Sequence, residues 1–287
     1  MQADDVGDSD DKGWIDAHVH VWTPDVKKYP LAAGFKVADM KPASFTPKEL
    51  WDHAEPEGVR RVVLIQMSFY GFDNGYMLQA IRDYPGRFAG VAVIDENDNP
   101  AEEMKRLKKH GVTGFRILPG GRPVETWLAG PGMAEMWKCG AEENLAMCHL
   151  IDANSLPYVD AMCRKNPDTP VVIDHFARIG VDGKIRDEDV KNLCQLAKHD
   201  RTSVKISAYY ALGKKRSPYT DLIPMINALL EAYGPGRLMW ATDCPYQVDP
   251  GHNYHDSIAL IRDEMKLSDS DRALLLRGTA ERVFFGG

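Results

Sequence analysis

Residues 14–22 read WIDAHVHVW, an apolar run that carries the pair His18 and His20. The run has the composition of a buried strand. Along a strand, residues i and i+2 point to the same face. His18 and His20 therefore stand side by side, and two imidazoles so placed can hold a metal ion or polarise a carbonyl. The same pair could equally be two core histidines with satisfied hydrogen bonds. The choice depends on what the rest of the chain brings to the same place.

Seven more apolar, β-rich runs follow: RVVLIQM at 61–67, FAGVAVI at 88–94, GVTGFRIL at 111–118, LAMCHLI at 145–151, PVVIDHF at 170–176, SVKIS at 203–207 and RLMWATD at 237–243. They are continuous rather than alternating, as expected of strands buried on both faces. Helix signals lie between them. Asn99-Pro100 offers an N-cap and a first-turn proline, AEEMKRLKKH then runs from acidic to basic, and Gly111 stops it. Thr46-Pro47 opens a helix over KELWDHAE, and helical periodicity recurs over 74–84, 187–199, 218–233 and 255–265. Eight strands, each followed by a helix, predict an α/β fold: a single (β/α)8 TIM barrel over 13–287, its active site at the C-terminal ends of the strands. The longest irregular stretch, 23–45, reads as a functional loop and is expected to act as a lid. Residues 1–12 are acidic and read as a disordered lead-in.

Composition narrows the class. The 287 residues are 44% hydrophobic and 27% charged, ordinary for a globular chain. A net charge of −7 favours neither nucleic acid nor an anionic membrane. No apolar run approaches the ~20 residues of a membrane span. The acidic start has no apolar core of a signal peptide, although a trimmed precursor would look the same. The five cysteines, 139, 148, 163, 194 and 244, form no CxxC and predict free thiols in a reducing, cytoplasmic setting.

The strand ends collect the chemistry. They supply His18 and His20, Gln66, Arg116, His149, His175, Lys205 with Ser207, and Asp243. Singly, His149 could be a core histidine, and Asp243 a turn-former before Pro245. Together, converging histidines and one carboxylate suit a divalent metal with an open water position. The carboxylate can also take the proton from that water.

Those residues resemble the amidohydrolase superfamily: HVH after the first strand, DH on the sixth and TD-x-P on the eighth. The closer likeness is to its second family, and within it to the 2-pyrone-4,6-dicarboxylate lactonase and sugar-lactonase group. LIQMSFYGFDN (64–74), GFRILPGGR (114–122), IDHFAR (173–178) and MWATDCP (239–245) carry it, and GTAERVF fits the closing helix. The resemblance implies that Asp243 activates the hydrolytic water, with His18, His20 and His175 around the scissile carbonyl or a metal. It implies that Arg116 and Arg122 bind a substrate carboxylate, with Arg178, Gln66, Tyr70 and Asn74 also at the pocket, although Tyr70 and Asn74 could equally be loop-packing residues. Metal-binding members point to His18, His20, His149 and Asp243 as ligands of one divalent ion, zinc first, while some lactonases of the group use none. Three departures stand out. Tyr246 replaces the usual histidine after TDWP, Cys244 replaces its tryptophan, and SAYYALG lacks the group's arginine after strand seven.

The expected activity is hydrolysis of a carboxylated or sugar-derived lactone. Its rivals are a metal-dependent decarboxylase of the same family, with His175 as proton donor, and a non-catalytic carbohydrate-binding barrel. The expected partner is a small-molecule substrate, without nucleic acid or membrane. A homodimer is one option for an oligomeric state that the sequence leaves open.

Overall fold

Each apolar run forms a strand because both its faces find cover. The computed structural model describes residues 13–123 and 125–286, so the acidic lead-in expected at 1–12 lies outside the described residues. The strands are β1 (Trp14–Val19), β2 (Val59–Ile65), β3 (Phe88–Ala92), β4 (Val112–Ile117), β5 (Ala146–His149), β6 (Val171–Ile173), β7 (Thr202–Ile206) and β8 (Leu238–Trp240). They form one parallel sheet in chain order. The helices between them are α1 (Pro47–Ala54), α2 (Gly75–Asp83), α3 (Pro100–Lys108), α4 (Pro131–Glu143), α5 (Leu156–Lys165), α6 (Asp187–Gln195) and α7 (Ile223–Tyr233). After β8 come α8 (Tyr254–Ala259), α9 (Asp269–Ala273) and α10 (Thr279–Phe284). This is the (β/α)8 barrel that the sequence predicts.

Alternation along the strands sorts two layers. Ile15, Ala17, Val63, Ile65, Ala89, Val91, Ala146, Cys148, Val172 and Met239 fill the barrel, where Ala280 and Phe284 of α10 join them. Val62, Leu64, Phe115, Met147, Val171 and Val204 face outward into the helix layer. No helix among the described residues is long and apolar enough to cross a membrane. All five cysteines are free thiols.

The seam between β8 and β1 is closed by few backbone bonds: His20 N to Cys244 O at 2.8 Å and Asp243 N to His18 O at 2.9 Å. Asp16 supplies the rest. Its fully buried carboxylate accepts from Thr242 N at 3.0 Å, Thr242 Oγ1 at 2.5 Å, Tyr254 Oη at 2.8 Å and His18 N at 3.1 Å. Burial pushes its pKa up to about 6 despite these bonds. Asp16→Ala would orphan four buried donors. At ~1–3 kcal/mol per lost partner, with partial relaxation, we expect a loss of about 3–5 kcal/mol, measured by urea denaturation.

Thr46 and Glu49 form a reciprocal capping box at the start of α1. Asn99 does not cap α3; its backbone is left-handed, at φ 44°, and its amide bonds Asp98 instead. The helix still starts at Pro100. The region 23–45 is tied down at both ends, by a Trp22–Phe45 bridge and by Trp22 Nε1 donating to Pro42 O at 2.9 Å.

Candidate active site

Three imidazoles converge on one oxygen. His18 Nε2, His20 Nε2 and His175 Nε2 lie 3.4, 3.3 and 3.8 Å from Asp243 Oδ1, and all four residues are buried. The backbone is bent to achieve this. Asp243 is left-handed, at φ 68°, and His175 to Arg178 form four consecutive left-handed residues, with φ of 52, 54, 53 and 55°. Such a run costs roughly 1–2 kcal/mol per residue, and strain of this kind collects at functional sites. Here it turns both His175 and Arg178 toward the same cavity.

The outer nitrogens show how each ring is held. A carbonyl can only accept, so His20 Nδ1, 2.9 Å from Ile65 O, carries a hydrogen there, and in the neutral ring Nε2 is bare. Ser207 Oγ donates to Lys205 O, so it accepts from His175 Nδ1 at 2.8 Å, and His175 Nε2 is bare too. When both rings are neutral, two bare nitrogens face a carboxylate oxygen, and such an arrangement calls for a positive centre, a proton or a metal ion, between them. Asp243 is indeed an anion: burial works to raise its carboxyl, but His175, His20 and His18 outweigh burial and hold it below the usual range. Burial pushes His18 and His175 down. Tyr210 Oη donates to Asp243 Oδ2 at 2.6 Å, which leaves Oδ1 to face the cluster.

Donor spacing fits a metal. Ligands at ~2.0–2.2 Å in a tetrahedron are separated by about 3.3–3.6 Å, close to the distances around Asp243 Oδ1. His18, His175 and Asp243 each present a ligand atom within 4.8 Å of the others. A divalent ion is thus compatible with the donor set.

Above the cluster is a cavity of about 310 Å³, lined among others by His20, Met67, Arg116, His175, Arg178, Tyr210, Asp243 and Tyr246. Arg116, at the end of β4, has a buried Nε without a hydrogen-bond partner, and its guanidinium has no ion pair among the described residues. Arg178 also faces the cavity and is paired at 3.0 Å with Asp152. Burial pushes the Tyr246 hydroxyl up to about 12. No residue of 23–45 lines this cavity, so the expected lid does not cover it here.

Several residues expected at the pocket lie elsewhere. Arg122 lines a neighbouring chamber with Phe72, Leu118 and the far side of Arg116, and it is bound to Glu96 at 2.5 Å and to Pro119 O. The two arginines facing Asp243 are therefore Arg116 and Arg178. Gln66 donates to Asp73 O at 2.7 Å, Asn74 exchanges bonds with Val93, and the Tyr70 hydroxyl accepts from Thr23 N. These three brace the loop after β2 and do not line the cavity. Tyr210 and the buried pair Asp174 and Lys205 are the residues that sequence reasoning left without a role. The aromatic pair in SAYYALG was the available signal for Tyr210.

His149 is a correction by strand phase. Cys148 faces the barrel interior, so His149 faces out. Its ring lies between Trp127 and Trp137, with centroids at 5.9 and 5.4 Å, and Nδ1 bonds Met147 O at 3.0 Å. Burial lowers its pKa to about 4. It cannot reach an ion beside Asp243 from there. His149→Phe should keep kcat and bound-metal content at wild-type levels, checked by steady-state kinetics and elemental analysis.

Comparison with known proteins places the chain among amidohydrolases. The chain is 26% identical over 244 residues to 4-sulfomuconolactone hydrolase of Rhizobium radiobacter, covering 82% of this chain and 76% of that one. It is 26% identical over 243 residues to 2-pyrone-4,6-dicarboxylate hydrolase of Comamonas testosteroni, covering 82% and 77%. The fold matches a Burkholderia multivorans amidohydrolase solved with bound zinc, at TM-score 0.79 and 22% identity over 95% of this chain and 99% of that one. The family model described as amidohydrolase matches residues 15–286. Nearly the whole barrel lies inside that match, together with every residue of the Asp243 cluster, and the chain belongs to the amidohydrolase family.

Proposed function

We propose that the protein hydrolyses a lactone that bears a carboxylate. The observation that carries this reading is an ionised Asp243 at the floor of a cavity whose wall presents Arg116, its guanidinium without an ion pair among the described residues. The relatives named as lactone hydrolases support it. Arg116 and Arg178 bind the substrate carboxylate, which places the ring over Asp243. Asp243 Oδ1 takes a proton from water, and the resulting hydroxide attacks the acyl carbon. The ring C–O bond then breaks, and the departing oxygen takes the proton back from Asp243. The product is the open hydroxy acid. Tyr210 holds Oδ2 and so keeps Oδ1 aimed at the water.

A divalent ion, for which zinc is our candidate, would be held by Asp243 with His175 and His20, and would supply Lewis-acid polarisation of the carbonyl or water. The free thiols suit a cytoplasmic location.

A lactone panel tests the reading: carboxylated, sugar-derived and unsubstituted rings, assayed by acid release with chelator and with added zinc or manganese. Turnover should favour the carboxylated rings. CO2 release from aromatic acids, with no lactone opened, would assign the site to a decarboxylase.

A further inference from the structure

Beneath the cluster lies a buried cation that the proposed reaction does not use. Lys205 on β7 is fully buried, between the ring of Phe284 below it and His18 above. Its Nζ lies 3.2 Å from His18 Nδ1 and 3.1 Å from Asp174 Oδ1. Asp174 is also fully buried; burial works to raise its carboxyl, but the Lys205 ammonium beside it outweighs that and holds it well below the usual range. His18 Nδ1 thus has two neighbours that demand opposite things. Asp174 Oδ1, 3.5 Å away, could accept a hydrogen from Nδ1. Lys205, as an ammonium, has three hydrogens to donate and accepts none.

The geometry favours the lysine. The Lys205 contact is shorter and is aligned as a hydrogen bond, whereas both Asp174 oxygens lack an aligned partner. A nitrogen that accepts from an ammonium carries no hydrogen of its own, so in neutral His18 the hydrogen sits on Nε2. His18 is then the opposite tautomer from His20 and His175. Its Nε2 is buried, lies 3.4 Å from Asp243 Oδ1 and has no aligned hydrogen-bond partner.

We propose that Lys205 is a positioning residue that fixes His18 as a hydrogen-bond donor at the reaction centre and thereby withholds it from a metal. The inference rests on the proposed lactone hydrolysis only for what His18 donates to, the carbonyl oxygen as it gains charge. The choice of tautomer stands without it. Distance alone groups His18 with His175 and Asp243 as a ligand set, yet an Nε2 that bears hydrogen has no lone pair for an ion. Binding through His18 requires the hydrogen to move to Nδ1 and on to Asp174, against the lysine.

Two measurements test this, and neither needs a substrate. The first uses the unaltered protein labelled with 15N-histidine, in long-range 1H–15N spectra at neutral pH, with His18 assigned from its absence in His18→Gln. We expect a bare Nδ1 on His18 and bare Nε2 on His20 and His175; a His18 with hydrogen on Nδ1 overturns the proposal. The second is zinc binding by equilibrium dialysis to the wild type and to Lys205→Met. With the lysine gone, Asp174 becomes the sole partner of Nδ1, the tautomer flips, and zinc should bind roughly 10–100-fold tighter, the range over which partners of metal-bound histidines act. Unchanged affinity in a folded variant contradicts the proposal. Should Lys205→Met not fold, for want of a partner to Asp174, the spectrum of the unaltered protein still decides. A protein that shows the expected tautomers but opens no lactone would overturn the proposed function and leave the role of Lys205 standing.

Discussion

Asp243→Asn should abolish turnover and leave the barrel intact. Removing a general base costs ~10²–10⁴-fold in rate, and Asp243 Oδ1 is the carboxylate oxygen on which all three imidazole Nε2 atoms converge. Folding should survive for two reasons. Asparagine tolerates the left-handed backbone at φ 68° as well as aspartate does. Its carbonyl can still accept from Tyr210, as Oδ2 does now at 2.6 Å. Circular dichroism and the melting temperature should therefore match wild type while kcat collapses. The pH profile follows from the direction of the shift. The base works ionised and its carboxyl is held below the usual range, so the acid limb of kcat should lie below ~4, where ordinary aspartates titrate. A variant with normal kcat would reduce Asp243 to a turn residue before Pro245.

Arg116→Ala should raise KM for carboxylated lactones about 10–100-fold and change kcat little. Losing a charged hydrogen-bond partner costs ~1.5–3 kcal/mol, and an interaction made equally in ground and transition states acts on KM. Arg178→Ala should act in the same direction. Arg122→Ala is the internal control. Its guanidinium is committed to Glu96 at 2.5 Å and is 38% exposed, and such pairs contribute only ~0–1 kcal/mol. KM values for a carboxylated and an unsubstituted ring, measured on all three variants, check this. Equal effects from Arg122 and Arg116 would restore the clamp that the spacing in GFRILPGGR suggested.

The contrast between these arginines shows what the sequence can reveal. The barrel was legible because strands covered on both faces give continuous apolar runs, and because Thr46 and Pro100 punctuate their helices. The helices α4 and α5 were not singled out; neither has a side-chain N-cap or an acidic first turn. The pair His18 and His20 was legible because the extended backbone of β1 runs on to His20 and keeps residues two apart on one face. His149 was misplaced because reaching a strand's C-terminal end does not fix its phase, and at β5 the phase points it at Trp127 and Trp137. Gln66, Tyr70 and Asn74 sit in a motif like that of the lactonases, but their polar atoms are spent on backbone groups of this loop and its neighbours, at Asp73, Thr23 and Val93. Tyr210 and Lys205 act on residues 33 and 187 positions away, contacts that only the closed barrel creates.

Hydrolysis in 18O-labelled water tests the central claim most directly, that water activated at Asp243 attacks the acyl carbon of a lactone. The best carboxylated lactone of the panel is turned over to completion and its product analysed by mass spectrometry. The account predicts one 18O in the newly formed carboxyl group, none in the new hydroxyl, and no CO2. Label in the hydroxyl, or release of CO2 with the ring closed, would contradict it.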